Sequence, residues 1–196
     1  MNKPLILIFL ISILSCETKS NNDRIVSEAF QWELTLPSNF KKIEVDKWEK
    51  IKSEGEKHIT NNTGTDLNNL SILIFAVENG EFNRFDANYM TEENFIEPNT
   101  TFKESFDKIN SITYDSFVNT VPNAIIDTTT STEMIDGLEF LKFEMNTKLE
   151  ESFVIKSRSY KRLVDGKVLS INVNYVNDKL GNEILSSLRN SKFTKN

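Results

Sequence analysis

The sequence predicts an α+β fold: an antiparallel β-sheet of about five to seven strands flanked by helices on its faces, an α/β/α sandwich. Two Asp-Gly pairs, at 136–137 and 165–166, separate long β-rich runs. Such pairs favour the type I′ turns of antiparallel hairpins, because both central residues of this turn need a positive φ. Apolar residues also recur at helical spacing over residues 101–119 and 178–191. Helices with one apolar face pack against a sheet, which gives the sandwich.

In the first half of the chain, strand and helix patterns alternate. Residues 30–36 alternate apolar and polar side chains and predict a half-buried strand. Residues 45–59 place their apolar side chains near one helical face, although Gly55 weakens this helix in its middle. Residues 70–77 are nearly all apolar and predict a central strand, and residues 82–90 predict a paired edge strand.

The second half predicts a meander of strands between two helices. The helix over residues 101–119 precedes four β-rich runs, and the helix over residues 178–191 follows them. The four runs cover residues 125–132, 138–148, 152–164 and 167–176. Consecutive strands joined by tight turns pair antiparallel, so these runs form the clearest part of the predicted sheet.

The N-terminus is typical of a bacterial lipoprotein signal. Lys3 supplies a basic start, residues 4–14 are predominantly apolar, and Ser15 precedes Cys16, the single cysteine of the chain. A helix of this apolar length reaches about half of a ~30 Å hydrocarbon core, so it is too short to span a bilayer. The sequence Ile-Leu-Ser-Cys at 13–16 resembles a lipobox, which implies a diacylglycerol on Cys16 and cleavage before it.

These features predict three segments. Residues 1–15 form the signal peptide, residues 16–24 form a polar, flexible tether, and residues 25–196 form a single α+β domain. An ordinary secretory signal with an incidental cysteine is the alternative interpretation of the N-terminus. The lipoprotein interpretation places the protein in the cell envelope, with the outer membrane favoured over the inner.

Composition narrows the classes of function. The chain has 196 residues, of which 38% are hydrophobic and 27% charged, as expected of a globular domain. Its formal net charge of −6 repels phosphate backbones, so we expect no nucleic-acid partner. With one cysteine, which is predicted to be lipidated, and one histidine, disulfides, zinc fingers and cysteine proteases are excluded.

Three segments resemble those of PsbP-like (DcrB-like) domains. FQWELTLPSNFKKI at 30–43 resembles their opening strand and turn, IDGLEFLKFEM at 135–145 their central strand, and SSLRNSKF at 186–193 their closing helix. The resemblance extends over residues 27–193. It implies an α/β/α sandwich that acts as a binding or assembly module, and it implies no shared catalytic residue.

One cluster is a candidate contact surface. Lys156, Arg158, Tyr160 and Arg162 fall on one face of a predicted strand, and in an acidic protein they predict a patch for a protein partner or an anionic glycan. The alternative is the solvated face of a sheet. His58 lies near the polar end of a predicted helix, where we expect a surface histidine, and we expect no metal site and no cofactor.

The sequence therefore predicts a non-enzymatic binding or assembly module, held at the membrane through Cys16, with an envelope protein or glycan as partner. No phosphate-binding loop, G-x-S-x-G or H-E-x-x-H motif occurs in it. Two alternatives stay open. One is a carboxylate-dependent envelope hydrolase that uses only carboxylates and hydroxyls, which a deep cleft with two converging Asp or Glu side chains would favour. The other is an immunity-type lipoprotein that binds a toxin.

Replacing Cys16 with serine tests the anchor. Because two or three acyl chains hold a protein on a membrane, the Cys16→Ser variant is expected to move from the membrane fraction to the soluble fraction. Cell fractionation with immunoblotting measures this. A Cys16→Ser protein that stays in the membrane fraction would contradict the anchor.

Overall fold

The computed structural model describes residues 23–65, 70–151 and 153–194. Cys16, the predicted signal peptide and the tether up to residue 22 lie outside the described residues.

Within these residues, seven strands form one antiparallel sheet, as predicted. In sheet order they are β3 (Lys41–Lys42), β4 (Ile72–Glu78), β5 (Arg84–Thr91), β9 (Lys167–Tyr175), β8 (Phe153–Val164), β7 (Leu138–Glu150) and β6 (Ile125–Ile135). The prediction that residues 82–90 form an edge strand is wrong. β5 lies inside the sheet, because it pairs with β4 on one side and with β9 on the other.

A second sheet of three short strands was not predicted. It consists of β1 (Arg24–Ser27), β2 (Trp32–Thr35) and β10 (Lys192–Phe193), so it joins the two ends of the domain. Across it, the rings of Trp32 and Phe193 stack with centroids 5.6 Å apart. The C-terminal strand is thereby fixed against the first segment of the fold.

Helices cover both faces of the large sheet. In the described part of the chain they are α1 (Val45–Thr63), the single turn α2 (Glu92–Phe95), α3 (Phe102–Thr120) and α4 (Asp178–Arg189). The start of α3 is fixed by a capping box, in which Thr101 accepts from the Glu104 backbone N–H while the Glu104 carboxylate accepts from the Thr101 N–H. The sandwich prediction is confirmed in outline.

Both predicted Asp-Gly turns are present. Asp136 and Gly137 have φ values of 49° and 78°, and Asp165 and Gly166 have values of 48° and 70°. These are the positive φ values of a type I′ turn, which Asp tolerates and Gly adopts without strain. The turns fix the β6–β7 and β8–β9 pairings from local sequence alone.

The main core lies between the large sheet and α4 with the small sheet. Aromatic rings dominate it, and Phe75 meets Phe85 edge-to-face with centroids 4.9 Å apart. The opposite face of the large sheet carries a smaller apolar cluster around Phe106 and Phe143, which anchors α3. By contrast, α1 on that face has no buried residue. It covers a part of the sheet that is not an apolar core.

The contact between α4 and β9 yields a stability prediction. A Cβ added at Gly181 would overlap the ring of Tyr175, whereas one added at Gly55 in α1 would meet nothing within 4 Å. We expect Gly181→Ala to lower the free energy of unfolding by about 1–3 kcal/mol. Gly55→Ala is the matched control and is expected to raise it by about 0.5–1 kcal/mol through helix propensity. Urea denaturation measures both, and equal effects of the two substitutions would contradict the close approach.

Candidate functional site

The candidate site begins with a polar surface on three inner strands of the large sheet. On β5 and β9 the polar residues alternate with buried apolar residues of the main core. Strand pairing sets Asp86 opposite Asn172, and Asn172 opposite Ser159. Nine residues in this register make up what we call the polar floor: Arg84, Asp86, Asn88, Ser157, Ser159, Lys161, Ser170, Asn172 and Asn174.

A cavity of about 510 Å³ separates most of the polar floor from α1 and α3. Its roof and walls are largely apolar, formed by Trp48, Ile51, Ile59, Met90, Phe95 and Ile109. Cavities of roughly 300–1,000 Å³ with apolar walls and a few polar groups are the usual form of small-molecule sites. We call this space the cleft.

A second cavity of about 240 Å³ adjoins the cleft beneath α3. The two share Ile109, Lys161, Asn172 and Asn174 in their linings. The polar floor therefore continues from one cavity into the other, and Lys161 stands at their junction.

Asp86 is the most deeply buried charged group of the floor, with 3% of its surface exposed. Its Oδ2 accepts hydrogen bonds from Asn172 Nδ2 at 2.8 Å and from Asn88 Nδ2 at 3.5 Å. Burial raises the pKa of the Asp86 carboxyl from 3.8 to about 6, and these hydrogen bonds oppose the rise only in part. At neutral pH a carboxylate is thus held in the sheet at a cost in stability.

Lys161 provides the opposite charge on the same floor. Its Nζ donates to Ser170 Oγ at 2.9 Å and lies 5.6 Å from the centre of the Phe95 ring. Burial lowers the pKa of the Lys161 ammonium to about 8, while the nearby Asp86 opposes the change. No ion pair of 4.0 Å or less joins Lys161 to Asp86 in the described structure. Each charge is therefore held by neutral groups and faces the cavities.

Hydrogen-bonding capacity is left over around both cavities. Among the described residues, the Oε1 of Glu56 in the cleft and the Nδ2 of Asn110 in the second cavity are buried without a hydrogen-bond partner. Asn110 is only 7% exposed, so bulk water does not satisfy it. Buried polar groups are normally paired, which makes such groups candidates for ligand contact.

The predicted partner patch of Lys156, Arg158, Tyr160 and Arg162 does not form an exposed surface. The four residues share one face of β8, as the alternation predicted, but that face meets the main core. Tyr160 is 1% exposed within this core. The cations are held by neighbours: Lys156 pairs with Asp178 and Arg158 with Glu144, and Arg162 donates to a backbone carbonyl. The prediction is therefore wrong for Tyr160, because α4 and the small sheet cover the residues around it.

His58 is an exposed residue of α1, as expected. Its Nε2 lies 2.7 Å from Thr120 Oγ1, and the Thr120 hydroxyl donates its one proton to the Ser116 carbonyl oxygen. His58 must therefore donate to Thr120, so it does not act as a base toward this hydroxyl. Within the described residues, no group of three His, Cys, Asp or Glu side chains is placed to hold a metal ion.

The polar floor was missed at the level of sequence. Its signal was present, because SINVNY at 170–175 alternates polar and apolar residues in the predicted last strand of the meander. Alternation normally means that one face meets solvent. Here the polar face lies under helices instead.

No protein-family model matches the sequence, and no curated protein matches it either. Among solved structures, the chain is similar to cyanobacterial PsbP (CyanoP) from Synechocystis sp. PCC 6803. The similarity has a TM-score of 0.48 at 8% identity and covers 87% of this chain and 91% of that chain. At this identity the likeness concerns the fold alone.

The Asp86 carboxyl yields a pH-dependent prediction. The pKa of this carboxyl is higher in the folded state than in the unfolded state. The protonated carboxyl therefore contributes favourably to the free energy of unfolding below about pH 4, and this contribution is lost as the pH rises through about 6. The change from 3.8 to about 6 corresponds to roughly 3 kcal/mol. We expect Asp86→Asn to match the wild type near pH 4 and to exceed its free energy of unfolding by up to about 3 kcal/mol at pH 7.

Urea denaturation between pH 4 and 7.5 measures this difference. Asp115→Asn, which removes a carboxylate from the exposed surface of α3, controls for the change in net charge. An Asp86→Asn variant whose difference from the wild type does not change with pH would contradict the burial cost.

Proposed function

We propose that this chain is a membrane-anchored, non-enzymatic binding protein of the bacterial cell envelope, and that the cleft is the place where a small ligand binds. The observation that carries the proposal is the polar floor, where buried Asp86 and half-buried Lys161 face a cavity of about 510 Å³ instead of a packed interface.

The energetics of this face favour a binding role. Burial of apolar surface contributes roughly 25 cal/mol per Å², and burial of a charged group costs several kcal/mol without compensation. At the centre of the sheet, the polar floor therefore lacks the stabilisation that buried apolar side chains would give. It also carries the free-energy cost of burying charged groups. Perturbed titratable groups that line a cavity are typical of functional sites.

The arrangement of the charges supports holding a ligand over transforming it. Asp86 accepts hydrogen bonds from two amides of the same sheet, and Lys161 donates to Ser170. Both side chains are thereby fixed in orientation by neutral neighbours, as expected of groups that position a ligand.

The proposed location rests on residues 1–24. The lipobox-like sequence at 13–16 and the polar segment after it suit a lipid anchor followed by a tether. No helix in the described part of the chain has the length and apolar character to cross a bilayer. On this proposal Cys16 carries the lipid, and the outer membrane is the favoured site.

A carboxylate-dependent hydrolase is the second candidate. The observation that favours it is that Asp86 and Glu56 line the same cleft from opposite sides, one from β5 and one from α1. Asp86, with its pKa raised to about 6, would serve as the general acid, and Glu56 would serve as the second carboxylate.

Occupancy of the cleft tests the proposal. We expect native mass spectrometry of the Cys16→Ser protein, purified from its own cell envelope, to detect a bound small molecule. Adding Asn174→Phe should remove it, because the ring fills the cleft from β9, where the Asn174 side chain has no hydrogen-bond partner among the described residues. Thr129→Phe on the exposed edge strand β6 is the matched control and should retain the molecule.

Retention of the molecule by the Asn174→Phe protein would contradict the cleft as its site. Release of a cleaved product by the wild type, but not by Asp86→Asn or Glu56→Gln, would favour the hydrolase.

A further inference from the structure

The charges that line the cleft balance one another. Asp86 and Glu56 contribute carboxylates, and Lys161 and Lys52 contribute ammonium groups. A ligand with a net charge would satisfy one pair and leave the other buried with a like charge, which is costly. The cleft therefore favours a ligand without net charge.

The floor demands a ligand that both donates and accepts hydrogen bonds at several points. Asn174 presents its amide to the cavity, and Asn88 and Asn172 each keep a second N–H besides the one that is bonded to Asp86. The Ser170 hydroxyl accepts from Lys161 and can still donate its proton. Sheet geometry spaces such groups about 4.8 Å apart across strands and roughly 7 Å apart along them. Hydroxyl groups on the two edges of a sugar ring meet this pattern, because each hydroxyl donates and accepts.

The roof suits the other surface of a sugar ring. Trp48, Ile51 and Ile59 of α1 present apolar side chains toward the floor. A sugar ring carries C–H groups on its face, and an aromatic ring offers these a large, rigid apolar surface. A ring that is tilted in the cleft can turn one edge toward the floor, so that its hydroxyls meet the amides there, while one of its C–H faces packs against the apolar side chains of the roof.

The second cavity sets the length of the ligand. It continues the floor past Lys161 and contains the unpartnered Asn110 amide. We propose that the cleft and the second cavity together bind a neutral oligosaccharide of at least two sugar units, with one unit under Trp48 and the next beside Asn110. This proposal rests on the proposed binding function and names its ligand class.

Tryptophan fluorescence offers a direct measurement. The chain has two tryptophans, and Trp32 is fully buried in the main core, so Trp48 alone reports on the cleft. The probes are maltotriose, cellotriose and the trimer of N-acetylglucosamine, each compared with its monosaccharide. We expect at least one trimer to change the fluorescence and to bind at least tenfold more tightly than its monosaccharide, with Trp48→Phe abolishing the fluorescence change. Isothermal titration calorimetry gives the affinity without relying on Trp48.

Two variants test the second cavity. Asn110→Ala removes one hydrogen bond to the second sugar and should weaken trimer binding about fivefold to tenfold while leaving monosaccharide binding unchanged. Because Asn110 is buried, Thr113→Leu serves as the second variant, since it narrows the same cavity from α3. Circular dichroism confirms that each variant is folded. Equal weakening of trimer and monosaccharide by both variants would overturn the two-unit assignment.

The other outcomes separate this proposal from the binding function. If no trimer binds while native mass spectrometry still detects an envelope-derived molecule that Asn174→Phe removes, the saccharide assignment is overturned and the cleft remains a binding site. The saccharide assignment is also overturned if the zwitterions L-leucine or glycine betaine bind more tightly than any trimer. If no trimer binds and no molecule is detected, both proposals fail.

Discussion

The burial of one carboxylate at the centre of the large sheet governs the arrangement of that whole face. Asp86 is 3% exposed and ionised at neutral pH, so its neighbours must be groups that tolerate or stabilise a charge. Asn172 and Asn88 supply hydrogen bonds, and Lys161 supplies a nearby positive charge. An apolar helix face pressed onto this surface would strip the remaining water from the charge, which explains why α1 covers the floor without burying a residue in it.

The opposite face of the same strands supplies the apolar packing that offsets the cost of burying this charge. In β9, Leu169, Ile171 and Val173 are fully buried against α4 and the small sheet, while the residues between them form the polar floor. Successive side chains of a strand point to opposite faces of the sheet, so the apolar core and the polar floor are kept apart. One face stabilises the domain and the other is free to carry polar chemistry, so a loss of function through the floor need not accompany a loss of fold.

Sequence reasoning succeeded where structure is local. The Asp-Gly turns fixed two hairpins, and the helix predicted over residues 101–119 matches Phe102–Thr120. It failed where partners are distant. The two residues of β10 form a strand only because β2 is present, and β5 became an inner strand by pairing with β9, far along the chain. For the predicted partner patch on β8, the alternation of side chains correctly placed Tyr160 and Arg158 on one face. It did not indicate which layer of the fold covers that face.

The attachment of α1 at both ends bears on how a ligand would bind. Near its start, Lys47 pairs with Glu78 of β4. Toward its end, His58 contacts Thr120, and Asn119 donates to the carbonyl oxygen of Asn62, so α3 holds it there. Between these attachments lie Trp48, Ile51 and Gly55, over the cleft. A roof that is held at both ends keeps the cavity open before any ligand arrives, so binding need not meet the entropic cost of ordering a helix. A preformed site under a fixed roof suits a protein that retains a ligand at one place, and a lipid on Cys16 would define that place as the membrane surface.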